Sequence, residues 1–312
     1  MRRSIVPFIV IATALASNAG LLANIIPQCD LLVHFQVQYA WVLAACALWC
    51  VLRRRLAWLV LSVAALTLPA ARITPWYLPQ PVHEHAHTAQ PALALLSCNV
   101  KFTNTQYPVV LDLILTTDAD VVVVQEATPA WSEALMELGT AYPHQLSHPA
   151  GGPRGMVLLS RFPLLHPVVD IHPLTKHCTL SATVEVGTDR VQIIAAHPFR
   201  PGLRHGSTVV ERELQASAAL ARGDSSNVVF IGDLNTTMWS GTYQRLVSQH
   251  GLTNLRRGRG VLASWRRSIP WLSAIPIDHC LIGCDLRGVS FTLHPVAGSD
   301  HDAMHAVVQM MP

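Results

Sequence analysis

The stretch Ile231-Gly232-Asp233-Leu234-Asn235-Thr236-Thr237 governs how this chain is read. The apolar run Val228 to Ile231 has the composition of a buried strand, entered from the loop Gly223 to Asn227. Gly232 then frees the backbone, and an acid and an amide follow two residues apart. In extended backbone, residues i and i+2 point the same way, so Asp233 and Asn235 are expected to reach one point just past the strand end. A carboxylate beside a neutral amide suits a site that activates water and binds an anionic oxygen. A surface loop can carry the same pair, so the remaining polar residues have to be weighed with it.

Upstream, Ala92 to Val100 reads as a strand ending in Cys98-Asn99-Val100. The β-branched run Asp120 to Gln125 reads as a strand buried on both faces, and it ends in Glu126. Between them, Tyr107 to Thr116 carries a helical stripe of Val110, Leu111, Ile114 and Leu115. Pro129 opens a second helix through Leu138. Gly155 to Ser160 is a further strand. Leu180 to Val186 and Arg190 to Ala196 form a hairpin around Gly187-Thr188-Asp189 that runs into His197-Pro198. A helix from Ser207 to Arg222 precedes the central strand, and Ile277 to Ile282, Val289 to Leu293 and His305 to Met310 follow it as strands. This mixture implies α/β layers around a mixed sheet or two packed sheets. Asn99, Glu126, His197, Asp233, Asn235, Asp278 and the pair Asp300-His301 all fall at or near strand ends. Each alone fits a cap or a solvated turn; their recurrence points to one site at a sheet edge.

Composition divides the chain. Of 312 residues, 51% are hydrophobic and only 13% charged, which is unusual for a wholly soluble protein. From Pro91 onward 16 basic residues face 17 acidic ones, so the formal net charge of +3 is set mainly by the N-terminal part. A near-neutral domain gives no general electrostatic sign of a nucleic-acid partner, although a local patch could. The N-terminal part has three apolar runs, Ser4 to Ile26, Leu31 to Leu52 and Leu56 to Ala71. A helix rising ~1.5 Å per residue needs about 20 residues to cross a ~30 Å hydrocarbon core. Three crossings keep Arg2, Arg3 and Arg53 to Arg55 in the cytoplasm and deliver everything after Arg72 to the outer face. Two crossings would leave the domain cytoplasmic, and a cleaved signal peptide would explain only the first run. Residues 1–72 are therefore expected to be a membrane anchor of two or three helices, with three favoured. Residues 73–91 are a Pro/His-rich linker and 92–312 the catalytic domain. The linker's His83-Glu84-His85-Ala86-His87 fits the H-E-x-x-H zinc pattern, but that pattern works only on a helix and prolines flank it here.

Two other features carry alternatives. Arg256, Arg257, Arg259, Arg266 and Arg267 are interleaved with Trp265 and Trp271, as in a loop that holds a polyanion or rests on anionic lipid, or in a solvated loop over a buried Trp265. Cys98, Cys178, Cys280 and Cys284 have no metal-site spacing and are expected to be free, buried thiols unless an oxidising compartment pairs them across strands.

The ordered set Ser-Cys-Asn99-Val, Val-Gln-Glu126, Gly-Met-Val-Leu-Leu-Ser-Arg161-Phe-Pro, Ala-His197-Pro, Gly-Asp233-Leu-Asn235, Ile-Asp278-His and Ser-Asp300-His301 resembles the endonuclease/exonuclease/phosphatase superfamily, from about Leu93 to Val308. That superfamily includes deoxyribonucleases, abasic-site endonucleases, inositol-polyphosphate phosphatases and neutral sphingomyelinases. With its hydrophobic head the chain looks most like membrane-anchored bacterial members. The resemblance implies a four-layer sandwich, two packed mixed β-sheets flanked by helices, preceded here by N-terminal transmembrane helices. It also implies divalent-metal-dependent hydrolysis of phosphate esters. Under it, Glu126 is the principal ligand of Mg²⁺ (or Mn²⁺ or Ca²⁺), with Asn99 and Asp300 completing the metal side. Asp233 and Asn235 orient the attacking water and the phosphate, and His197 bonds a non-bridging oxygen. His301 acts as general base or phosphate clamp, with Asp278 fixing its tautomer. One or two ions are compatible with this set. Asn104, Arg266 and Arg267 are further substrate-binding candidates.

The sequence departs from the nuclease members at Lys101, where they carry an acid, and it offers no counterpart of the active-site tyrosine of abasic-site enzymes. The expectation is a multi-pass inner-membrane hydrolase with a periplasmic or otherwise extracytoplasmic catalytic domain. Its partners are the lipid bilayer and a phosphate ester (a small molecule, a lipid headgroup or a nucleic acid), with no protein partner indicated. An extracytoplasmic nuclease acting on DNA or RNA is the nearest alternative, and a catalytically silent binding module on the same fold is the alternative of another class.

Overall fold

The computed structural model describes residues 5–79, 92–222, 227–266 and 269–311. Three apolar helices come first: α1 (Val6–Asn18), α2 (Gln36–Leu52) and α3 (Leu56–Ile73). They pack on one another through Val6, Val10, Leu43, Cys46 and Cys50, while Phe8, Leu15, Trp41, Leu48 and Leu56 point outward. These helices thus carry apolar side chains on their outer faces as well as their inner ones. The expected first span, Ser4 to Ile26, is corrected. Its helix stops at Asn18, where Ser17 Oγ and Asn18 Nδ2 both donate back to Ala14 O, and a 3₁₀ turn at Ala19–Leu22 follows. Two helical stretches, Pro27–Leu52 and Leu56–Trp76, are long and apolar enough to cross a membrane, and Val6–Leu22 is shorter. The His83 to His87 motif lies outside the described residues.

The domain runs in order β1 (Ala92–Asn99), α4 (Tyr107–Thr116), β2 (Val121–Gln125), α5 (Pro129–Leu135), β3 (His144–His148), β4 (Met156–Ser160) and β5 (Leu165–Ile171). The hairpin β6 (Cys178–Val186) and β7 (Asp189–Ala196) leads to α6 (Thr208–Ala218), β8 (Val228–Asp233), α7 (Gly241–Gln249) and β9 (Thr253–Asn254). A short α8 (Pro270–Ser273) precedes β10 (Asp278–Ile282), β11 (Leu286–Pro295) and β12 (Asp302–Met310). One six-stranded sheet has the order β11-β12-β1-β2-β4-β3 and the other β5-β6-β7-β8-β10-β9. Each has one parallel pair, β1 with β2 and β7 with β8, and antiparallel neighbours elsewhere.

Strand alternation sets the layers. Odd-numbered β2 residues Val121 and Val123 join Leu93, Leu95 and Leu158 in facing Leu180, Ile193, Val229 and Ile231 of the other sheet. Even-numbered Val122 and Val124 turn outward onto Val110 and Ile114 of α4 and Trp131 of α5. Likewise Ile194 and Phe230 face Val210 and Leu214 of α6 and Leu246 of α7. Residues on both faces of a strand are therefore buried, as the β-branched composition of β2 required. The four-layer sandwich is the observed architecture. β3, β5, β9, α7 and α8 were not legible in the sequence; β3 and β5 are sheet-edge strands with alternating exposure, and short polar segments of that kind carry little hydrophobic signal.

Candidate active site

The parallel pairs bring the polar strand ends together. β1 and β2 run side by side with Asn99 opposite Gln125, so Asn99 and Glu126 emerge at the same edge of their sheet. In the other sheet, β7 and β8 are parallel, and Asp278 begins β10 opposite Asp233. His197 thus emerges beside Asp233, and the two sheet ends meet where Asn99 Nδ2 donates to both Glu126 Oε1 (3.2 Å) and Asp233 Oδ2 (3.0 Å). From Asp233 Oδ2 the chain of contacts continues to His197 Nε2 at 3.4 Å and His301 Nε2 at 3.6 Å. His301 Nδ1 lies 3.0 Å from Asp278 Oδ2. Glu126 and His301 therefore belong to one contact cluster with Asn99, Asp233, Asp278 and His197.

Glycine makes the close packing of the site strands feasible. At Gly232, with φ +144°, a Cβ would sit 2.1 Å from Ala196 O and 2.7 Å from Gln125 Nε2. Three site strands pinch together at this one residue. Glu126 (φ 60°), Lys101 (φ 62°) and Asn235 (φ 51°) occupy left-handed backbone. Such non-glycine positions cost of order 1–3 kcal/mol each and persist where surrounding bonds over-determine them. Here Phe102 N donates to Glu126 Oε2 (2.9 Å), Lys101 N to Asn99 Oδ1 (3.0 Å) and Asn235 N to Asp233 Oδ1 (2.9 Å). The local geometry after β8 is therefore an Asx turn, and the expectation of an extended Asp-Leu-Asn segment is corrected. Asn235 Nδ2 donates to Pro198 O (3.0 Å), which ties it to the segment that carries His197.

Electrostatics follow from the crowding of carboxylates. Burial opposes a charged His301, but Asp278, Asp233 and Asp300 outweigh it and raise its pKa to about 10. For Asp233, burial pushes upward, yet His301 and His197 win and hold it at about 2. His197 is raised in the same manner: burial lowers it, and the hydrogen bond and charge of Asp233, with Glu126 behind, reverse the sign. Behind His197 stands His177, whose Nδ1 lies 2.9 Å from His197 O and whose burial lowers it to about 4.

Other expected site residues are placed differently. Asp300 stands at the rim, its Oδ2 accepting from Trp265 Nε1 (3.1 Å) and its Oδ1 3.7 Å from Lys101 Nζ. Asn104 is corrected as a substrate ligand: it is buried, its Nδ2 donates to Val100 O and Ala297 O, and its Oδ1 accepts from Gln106 N. Arg266 pairs with Asp302, and Arg267 lies outside the described residues. The wider arginine group is largely structural. Arg256 is fully buried and donates to Val261 O, Leu262 O and Asp278 O. Arg259 donates to Leu255 O and Val289 O. The cysteines are free thiols, but Cys284 is exposed rather than buried. Sequence reasoning missed Ser299, whose hydroxyl donates to Asn99 O and accepts from His301 N, and so locks the two halves of the site. Its position directly before Asp300-His301 was the available signal.

As a donor set, Asp233, Asp278 and His301 offer ligand atoms within 4.8 Å of one another, a group that could hold a metal ion. Glu126 and Asn99 add hard oxygen donors beside it.

Residues 96–301 match the Endonuclease/Exonuclease/phosphatase family. No curated protein matches the sequence. Among solved structures, TDP2 from D. rerio complexed with a single-strand DNA product is similar at 17% identity and a TM-score of 0.57, covering 70% of this chain and 99% of that one. An endonuclease/exonuclease/phosphatase from Beutenbergia cavernae is similar at 19% identity and a TM-score of 0.57, covering 71% and 72%. A variant of the 3' phosphatase NExo from Neisseria, bound to a product DNA hairpin, is similar at 16% identity and a TM-score of 0.53, covering 69% and 98%. At these identities the likeness is one of fold.

Proposed function

Because this chain belongs to the endonuclease/exonuclease/phosphatase family, whose members are phosphoester hydrolases using divalent metal ions, we propose a membrane-tethered, metal-dependent hydrolase of phosphate esters. The single observation that carries the reading is the meeting of Glu126, Asn99, Asp233, His197, Asp278 and His301 in one cluster. The residues fit a hard cation. Carboxylate oxygens of Glu126 and Asp233 converge on one amide nitrogen, so positive charge is already wanted at that point. Glu126 and Asn99, with Asp233 beside them, would hold Mg²⁺ or a similar ion. When bound, such an ion neutralises charge on the phosphoryl group and makes water more acidic.

The chain's own residues divide the remaining work. His301, held charged by its carboxylate neighbours, suits the grip of a phosphate oxygen better than the removal of a proton. Asp278 keeps its Nδ1 proton in place. His197 offers Nε2 to a second oxygen, and Asn235 fixes the loop that carries it. Asp233, kept ionised, orients the attacking water. Asp300 at the rim would join the metal side only by leaving Lys101 and Trp265.

The tether is supported by the arrangement of the anchor. Gln38 Nε2 donates to Ala274 O (2.8 Å) and Trp239 Nε1 to Arg72 O (3.1 Å), so the domain sits at one end of the α2–α3 hairpin. Arg53 to Arg55 form the turn at its other end. With Arg53 to Arg55 on the cytoplasmic side, α2 and α3 by themselves leave the domain on the outer face, whether or not α1 crosses. A second reading, hydrolysis of DNA phosphate esters, is favoured by the DNA products in two structures of the same fold.

Full-length protein in detergent should release nitrophenol from bis(p-nitrophenyl) phosphate with Mg²⁺ and lose the activity to a chelator. Asp278→Asn should retain the fold by circular dichroism and lose roughly 10²–10³-fold in turnover, the range of a lost donor to transition-state charge. Chelator-resistant turnover, or an unimpaired Asp278→Asn, would contradict this site. Absence of any turnover would favour a silent binding module.

A further inference from the structure

Three loops that carry or border the site residues rest directly on the anchor. After Asp233 and Asn235, Thr237 Oγ1 lies 2.9 Å from His34 Nδ1, Ser240 Oγ donates to Asp30 Oδ2 (2.6 Å) and Gly241 N to Asp30 Oδ1 (3.2 Å). Asp30, His34, Thr237 and Ser240 are all buried, so this is a sealed polar joint and not a passing surface contact. After His197, Leu203 O accepts from Gln28 Nε2 (3.2 Å), and Gly206 packs so closely on Pro27 that a Cβ there would meet the Pro27 carbonyl carbon at 2.4 Å. Before Asp278, Ala274 O takes the bond from Gln38 already described. Pro27 opens the first of the two helices long enough to cross a membrane.

The same loops expose basic and apolar side chains together. Phe199, Arg200, Leu203 and Arg204 stand out from the loop after His197, with Leu203 84% exposed, and neither arginine has an ion-pair partner among the described residues. Ile269 and Leu272 are exposed beside Ala274. A solvated rim gains nothing from Leu203 and Leu272. A bilayer surface accepts them among its acyl chains, while Arg200 and Arg204 meet anionic headgroups. Continuity with the helices that would cross the bilayer decides between a lipid surface and a free nucleic acid.

Resting on the hydrolase reading above, we infer that the mouth of the active site is held at the bilayer surface and takes the phosphate ester of a membrane lipid. The reaction adds water across the phosphorus–oxygen bond: one oxygen joins phosphorus, and the proton leaves with the departing alcohol. The buried joint of Asp30 and His34 keeps the Asp233–Asn235 turn at that height.

The test uses full-length protein reconstituted in vesicles of phosphatidylglycerol and phosphatidylethanolamine, with phosphate and headgroup release measured. The deacylated glycerophosphodiesters, bis(p-nitrophenyl) phosphate and a single-stranded oligonucleotide serve as comparison substrates. The lipid arm is expected to exceed the deacylated arm at least tenfold at equal phosphate. Leu203→Asp with Leu272→Asp should lower the lipid rate at least tenfold and leave bis(p-nitrophenyl) phosphate turnover unchanged; Leu203→Ser alone should show the same split more weakly. Equal or faster hydrolysis of the deacylated compounds or the oligonucleotide overturns this inference and leaves the hydrolase reading standing. An equal loss on lipid and soluble substrate in both variants also overturns it. No hydrolysis of any substrate overturns both.

Discussion

Gly232→Ala tests the claim that β7 and β8, with the Gln125 amide of the facing sheet above them, fit together at the site only because this residue lacks a side chain. Its φ of +144° is open to glycine and strained for alanine, at roughly 1–3 kcal/mol. The added methyl would lie 2.1 Å from Ala196 O, a backbone atom of the neighbouring parallel strand, so the strand has to move. Overpacking of that kind costs about 1–3 kcal/mol. The two contributions together give about 4 kcal/mol, a large fraction of the ~5–15 kcal/mol that holds an ordinary domain. For a domain of this size each kcal/mol shifts the midpoint by about 2–4 °C, so Tm should fall by roughly 8–16 °C. Because Ala196, Gln125 and Gly232 each precede a site residue, turnover should drop at least about tenfold even well below the new Tm. The assay is thermal unfolding of the detergent-solubilised protein beside phosphodiesterase activity, with Gly151→Ala as control. At Gly151 nothing lies within 4 Å of an added Cβ, so that variant should match the parent. A Gly232→Ala protein within about 2 °C of the parent and fully active would refute the pinch-point reasoning.

Arg256→Met removes a buried guanidinium that satisfies the carbonyls of Val261, Leu262 and Asp278, and should destabilise by about 3–5 kcal/mol in urea unfolding; unchanged stability with weakened substrate binding would make Arg256 a substrate ligand instead. His177, held near 4 in the fold against 6.5 when unfolded, stays neutral and gives its full contribution above pH 6.5. That contribution is lost as pH falls from about 6.5 to about 4, by up to ~3 kcal/mol. Denaturant midpoints at pH 7 and pH 4.5 should therefore diverge less in His177→Gln than in the parent, and identical pH slopes would discount His177 as a source of acid sensitivity.

Local pattern along the chain was enough for some of this protein. Apolar runs without charge set the N-terminal helices apart from the domain, and the doubly buried β2 run announced a layered α/β core. Polar residues placed at or next to the ends of buried strands had nowhere to go but the sheet edge, which is why Asn99, Glu126, His197, Asp233 and Asp278 were legible as a group. Only the folded chain resolves what distance along the sequence conceals. Whether Asn104 faces substrate or spends its amide on Val100 and Ala297 depends on a loop 193 residues away. Arg256 and Arg266 have the same sequence character, yet one is sealed beneath the sheet and the other lies half-exposed at the rim. The joint between Asp30 and Ser240 spans 210 residues and leaves no periodic trace. Hydrogen bonds saturate in pairs: a polar side chain's role is fixed by whichever partner reaches it first in space, and a linear pattern records the side chain without its partner.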